Sequence, residues 1–185
     1  RIETGTFLIA GALLGEITVK DIEIKHLDAV LGKLNDVGCK ISIGDSSITL
    51  EPPDKIRPVD MTTAVYPGFP TDLQAQWVAL MSLADGSSTI TDTVYHDRFS
   101  HIPELSRLGA NIQVNHNTAF VRGVDSLVGA PVMSTDIRAS ASLIIAGLAA
   151  SGETEVSRVY HIDRGYERIE EKFRHLGANI SREHG

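Results

Sequence analysis

At 185 residues, 42% hydrophobic and 22% charged, the chain can bury a sizeable core as one large domain or two small ones. Its net charge of -7 argues against a general nucleic-acid binder, which needs a basic face, yet leaves room for a small anionic ligand held by a few arginines. One cysteine excludes an internal disulfide framework, and the longest apolar runs, 7–14 and 143–150, fall short of the roughly 18 residues a membrane span needs. With no signal peptide visible, a soluble cytoplasmic protein is expected.

Read from its start, the chain opens with a helix of small and apolar residues, RIETGTFLIAGALLG (1–15), followed by a strand over 17–24. An amphipathic helix comes next, its buried stripe made by Leu27, Val30, Leu31 and Leu34, and it ends in LNDVGCKI (34–41). Ile41-Ser42-Ile43 and Ile48-Thr49-Leu50 then read as a hairpin across Gly44-Asp45-Ser46. The same order recurs. A strand at 59–63 precedes a second apolar helix (72–86), a strand (89–95) and a helix ending in LSRLGANI (105–112). A strand at 132–134 precedes a third apolar helix (138–152), a strand (155–160) and a helix ending in FRHLGANI (173–180). In that last helix Ile169, Phe173 and Leu176 form the buried stripe, with Glu167, Arg168, Glu170 and Glu171 facing water.

Counted between matching glycines, the repeat is roughly 65 to 71 residues, longer than solenoid periods. Three βαβαββ units, about 1–57, 58–124 and 125–185, are therefore expected to close around a pseudo-threefold axis as one α/β domain. The apolar helices lack a polar face and must be buried on every side, so they belong inside, with sheets and amphipathic helices outside. The glycine after each helix suits a left-handed cap. Unit one lacks a leading strand and unit three a final one, which reads as a fragment whose missing strand comes from elsewhere in a longer protein, with partial disorder of the termini as the plainer alternative.

Fourteen residues before each helix-ending glycine stand Arg1, Asp72 and Arg138, all in the first turn of an apolar helix. Unpaired backbone N–H groups and the dipole favour anions there, so an arginine at that place points to an anionic ligand. Asp72 also has an ordinary structural explanation, with Thr71 as N-cap and Gln74 as its capping-box partner; the other reading is a catalytic or ligand-binding carboxylate. The matching strings VYHDR (94–98) and VYHIDR (159–164) place Arg98 and Arg164 after a strand, where guanidinium forks suit carboxylate or phosphate and surface pairing with Asp97 or Asp163 is the plainer option. His96 and His161 recur too, as packing or capping groups rather than bases. There is no phosphate-binding glycine loop, no dinucleotide fingerprint and no metal-ligand spacing, and Ser134, Ser140 and Ser142 have no credible triad partners. Cys39 stands where the other units carry Ala110 and Ala178, as a small buried residue.

The strings RIETGTF (1–7), FPTDLQAQ (69–76), RFSHIPELSRLGA (98–110), TDIRASASL (135–143) and YHIDRGYERIEEKFRHLGANI (160–180) closely resemble the enolpyruvyl transferase family, in its UDP-N-acetylglucosamine branch. That resemblance spans essentially the whole chain and implies most of one domain of an inside-out α/β barrel, built from the C-terminal stretch and completed by the N-terminal segment of the polypeptide. It implies addition of a sugar 3-hydroxyl to C2 of phosphoenolpyruvate, protonation of C3 and loss of phosphate, with no metal or cofactor. By residue, it implies Asp72 as the base, Val94 and Tyr95 lining the UDP-sugar site, and Arg98 at the cleft. Arg138 and Arg164 face phosphoenolpyruvate, with Asp136 beside them. A lysine, a further arginine and a mobile loop bearing the acid would lie in the other part of the polypeptide, leaving this chain alone inactive. The alternatives are a phosphoshikimate-using member and a non-enzymatic binding domain of the same fold.

Overall fold

In the computed structural model, which describes residues 1–183, helix α1 (Ile2–Leu14) is buried from Gly5 through Ala12. Strand β1 (Ile17–Lys20) follows, then α2 (Asp28–Val37), β2 (Lys40–Ile43) and β3 (Ser47–Glu51). These strands form an antiparallel sheet in the order β1-β3-β2, with Ile41 opposite Leu50 and Ile43 opposite Ile48 as the hairpin reading requires. On α2 the buried residues are Val30, Leu31, Leu34 and Val37, while Leu27 is buried just ahead of it. Gly38 ends the helix at φ 109°, in the left-handed region, and Gly109 and Gly177 repeat that conformation at 97° and 96°.

The second unit runs β4 (Met61–Thr62), α3 (Gln74–Met81), β5 (Ser87–Thr91), α4 (Ile102–Arg107), β6 (Asn111–Asn115) and β7 (Thr118–Arg122). Its sheet has the order β4-β5-β7-β6, with β4 parallel to β5 and the other pairs antiparallel. The third unit runs β8 (Pro131–Met133), α5 (Ile137–Ala149), β9 (Glu155–Ser157) and α6 (Ile169–His175), with β8 parallel to β9. Among the described residues no strand precedes α1 and none follows α6.

Helices α1, α3 and α5 pack against one another in the interior, and all eight residues of α3 are buried. Trp77 on α3 is wholly buried and packs edge-on against Phe69 at 5.4 Å between ring centroids. Gly5 of α1 makes the close approach to the second unit possible: a Cβ there would lie 2.5 Å from Leu73 Cδ1. Apolar helices inside and sheets outside make this an α/β architecture turned inside out.

The strands are shorter than the sequence pattern suggests. β1 stops at Lys20 because Asp21 turns to φ 58°, and Ile24–His26 forms a 3-10 turn. β9 stops at Ser157 because Arg158, at φ 59°, starts a 3-10 turn over Val159–Arg164. β5 stops at Thr91, where Asp92 turns inward and is fully buried. Leu176 leaves the expected stripe: it lies just past the end of α6 and is 51% exposed, whereas Ile169 and Phe173 are buried as read.

Candidate functional site

Three of the expected residues meet at one carboxylate. Asp72 sits in a 3-10 turn, Thr71–Leu73, that leads into α3; Arg138 is the second residue of α5; Arg98 lies on the loop between β5 and α4. Nε of Arg138 donates to Oδ1 of Asp72 at 2.7 Å, and its Nη2 lies at the same distance. Nη1 of Arg98 donates to the same oxygen at 3.2 Å. None of these contacts uses Oδ2, and the Asp72 side chain keeps 40% of its exposure, so one oxygen is clamped while the other stays reachable. Ion pairs this open to solvent contribute little stability, on the order of 1 kcal/mol at most. What the pairs supply is geometry.

Arg98 also lies over the ring of Tyr95, its guanidinium carbon 3.6 Å from the centroid. Neither neighbouring-pair expectation holds. Arg98 pairs with Asp72 rather than Asp97, and Asp163 is held by Arg182 at 2.8 and 2.9 Å rather than by Arg164. That bond to Arg182 depresses the Asp163 carboxyl below its usual range.

Asp136 caps α5: Oδ1 accepts from the Arg138 and Ala139 amides at 2.8 and 2.9 Å, which fixes where the Arg138 side chain begins. Arg164, at the end of the 3-10 turn Val159–Arg164, is exposed, and its side chain makes no hydrogen bond or ion pair among the described residues. It is not brought to Asp72 in this arrangement. Two residues on, the buried Tyr166 hydroxyl lies 2.6 Å from the Thr6 hydroxyl and accepts from Gln76 at 3.4 Å, tying that turn to α1 and α3. Arg1, just ahead of α1, stands over the Tyr66 ring at 5.2 Å and does not join the cluster. Val94 is half-buried and Tyr95 is 51% exposed.

The capping-box reading of Thr71 and Gln74 is overturned. Neither side chain caps the helix; both turn to Asp92. This fully buried carboxylate was absent from the sequence reading. Oδ1 accepts from the Thr63 hydroxyl at 2.7 Å and from the amides of Val94 and Tyr95 at 3.0 and 2.8 Å. Oδ2 accepts from the Thr71 hydroxyl at 2.6 Å and from Gln74 Nε2 at 3.3 Å. Burial alone pushes its pKa up, but these donors together bring it below the usual carboxylate value. The available signal was an Asp at a strand end followed two and three residues later by the amides it bonds. Ser134 and Ser140 are buried with their hydroxyls in contact, and Cys39 is buried with its thiol pushed up to about 11, so neither offers a nucleophile.

Comparison with known proteins places these features in context. The profile of the family described as EPSP synthase (3-phosphoshikimate 1-carboxyvinyltransferase) matches residues 1–173. The chain is 59% identical over 184 residues to the UDP-N-acetylglucosamine 1-carboxyvinyltransferase of Prosthecochloris aestuarii, covering 99% of this chain and 43% of that protein. Against the protein of the same name from an Anaeromyxobacter species, identity is 56%, covering 99% and 44%. The chain thus spans less than half the length of these curated relatives. Among solved structures, the enolpyruvyl transferase NikO from Streptomyces tendae superposes with a TM-score of 0.85 at 31% identity, over 96% of this chain and 43% of that one. EPSP synthase from Acinetobacter baumannii shares the fold, with a TM-score of 0.72 at 18% identity over 97% of this chain and 43% of that one. With the repeated units, the clustered helix N-termini and the profile match in agreement, the chain belongs to the EPSP synthase family of carboxyvinyl transferases.

Proposed function

We propose that this chain supplies half of the active site of an enzyme that transfers the enolpyruvyl group of phosphoenolpyruvate to the 3-hydroxyl of UDP-N-acetylglucosamine. The observation that carries the reading is the Asp72 carboxylate, held through Oδ1 by Arg98 and Arg138 with Oδ2 open. A carboxylate fixed by one oxygen presents the other in a set direction, as a general base needs. Relatives at 53–59% identity carry the UDP-N-acetylglucosamine name, which favours that acceptor over a phosphorylated shikimate.

In this reading Oδ2 of Asp72 takes the proton of the sugar hydroxyl as its oxygen bonds C2 of phosphoenolpyruvate. C3 gains a proton from an acid elsewhere in the polypeptide, giving a tetrahedral C2; the C2–O bond to phosphate then breaks as C3 gives a proton back, and the enol ether forms. Arg138 and Arg164 serve the phosphate and carboxylate, Val94 and Tyr95 line the nucleotide-sugar side, and Arg98 and Asp136 hold the cleft geometry. Residues 1–185 form a single domain of units near 1–57, 58–124 and 125–185. The rest of the polypeptide is its partner, and the setting is the cytoplasm, at the first committed step of peptidoglycan synthesis.

The test is phosphate release and ligand binding by the isolated 185 residues. The expected result is no turnover of phosphoenolpyruvate with UDP-N-acetylglucosamine, together with binding of that nucleotide sugar in preference to shikimate 3-phosphate. Robust turnover would overturn the half-site reading, and preference for the shikimate would overturn the substrate.

A further inference from the structure

Asp92 touches no solvent, yet both loops that shape the site end on it. Thr71 precedes Asp72 directly, and its hydroxyl has a single proton. At 2.6 Å that proton goes to Asp92 Oδ2, so the hydroxyl can face Arg98 only with a lone pair, and Nη1 of Arg98 donates to it at 3.3 Å. Gln74 repeats the link on the backbone side: its Nε2 reaches Asp92 Oδ2 at 3.3 Å and the Arg98 carbonyl at 2.9 Å. On the other oxygen, the Val94 and Tyr95 amides fix the segment that puts the Tyr95 ring under the Arg98 guanidinium.

We infer that Asp92 is a positioning residue: acting through Thr71, it aims the Arg98 guanidinium at Asp72. The inference deepens the proposed function, on which it rests only for the roles of Arg98 and Asp72 in the reaction. It depends on Asp92 being an acceptor at both oxygens. Five donors converge there, and an asparagine would turn an amide N–H toward one set of them. If that amide faces Thr71, the hydroxyl proton must point elsewhere, and the oxygen no longer offers Arg98 the same lone pair. If it faces the backbone amides, the Tyr95 segment is released. Either way Arg98 loses a fixed direction, although the core helices are untouched.

The experiment reads the guanidinium directly, by NMR of the Arg98 side-chain N–H groups in the 185-residue chain, comparing Asp92→Asn, Thr71→Val and Thr71→Ser. The expected result is a resolved Arg98 signal in the unsubstituted protein and in Thr71→Ser, which keeps the hydroxyl. That signal should collapse into the solvent-averaged arginine envelope in Asp92→Asn and Thr71→Val. Retention of the resolved signal in a folded Asp92→Asn protein overturns the inference. Should Asp92→Asn fail to fold, retention in Thr71→Val does so instead. The readout needs no ligand, so failure of the chain to bind UDP-N-acetylglucosamine counts against the proposed function alone, and the Arg98 signals decide the positioning role.

Discussion

Asp72 reaches Arg98 and Arg138 across 26 and 66 residues of chain, and neither pairing can be read from local spacing. The residues themselves were legible, because the first-turn positions and the VYHDR string single them out. Their convergence was not, since it needs two helix N-termini and a loop to meet. His101, preceding α4, escaped notice altogether: it is wholly buried, and burial drives its pKa down to about 4, against a smaller upward pull from Asp136. As pH falls below about 6.5 the unfolded chain takes up this proton while the folded chain resists until about 4. Stability is therefore lost across that window, by about 3 kcal/mol at its acidic end on a basis of 1.36 kcal/mol per pH unit. Denaturant unfolding at pH 7, 5.5 and 4.5 checks this. The His101→Leu protein should show a shallower acid decline than the parent, and parallel curves would contradict it. Asp92 was hidden for a different reason. Its donors come from Thr63, Thr71, Gln74 and the 94–95 amides, and Thr71 with Gln74 offered a local capping pattern that the buried carboxylate outcompetes.

Elements without a polar face were the most readable part of the fold. Burial of α1, α3 and α5 follows from composition alone, because no side of such a helix can face water. Strand ends were less so: Asp21, a residue type that tolerates the left-handed region, and Arg158, which is not one, both take positive φ, and each cuts an expected strand short. The join between β7 and the second unit's central helix was not legible at all. Gly123, just after β7, passes so near the turn after α3 that an added Cβ would lie 1.7 Å from the Ala84 carbonyl oxygen and 2.7 Å from its carbon. Backbone cannot step aside as a side chain can. Gly123→Ala should therefore cost at least about 2 kcal/mol, in the range of overpacked sites, by urea unfolding monitored at Trp77. A change below about 0.5 kcal/mol would mean the two segments are not held together as described.

For the molecule as a whole, threefold repetition explains why Asp72 and Arg138 gather at one edge. Each unit offers the start of an apolar helix there, and two of them deliver Asp72 and Arg138 to a shared point. Arg164 stays apart from that point, and the chain spans 43% of the length of the relative it matches at 59% identity. The most direct measurement is the turnover of a two-domain protein in which this chain replaces the matching segment of its 59%-identical relative, with and without Asp72→Asn. With phosphoenolpyruvate and UDP-N-acetylglucosamine the parent chimera should release phosphate, and Asp72→Asn should lower kcat at least about 100-fold, the usual contribution of a general base. A chimera that turns over with kcat unchanged by Asp72→Asn would contradict the account.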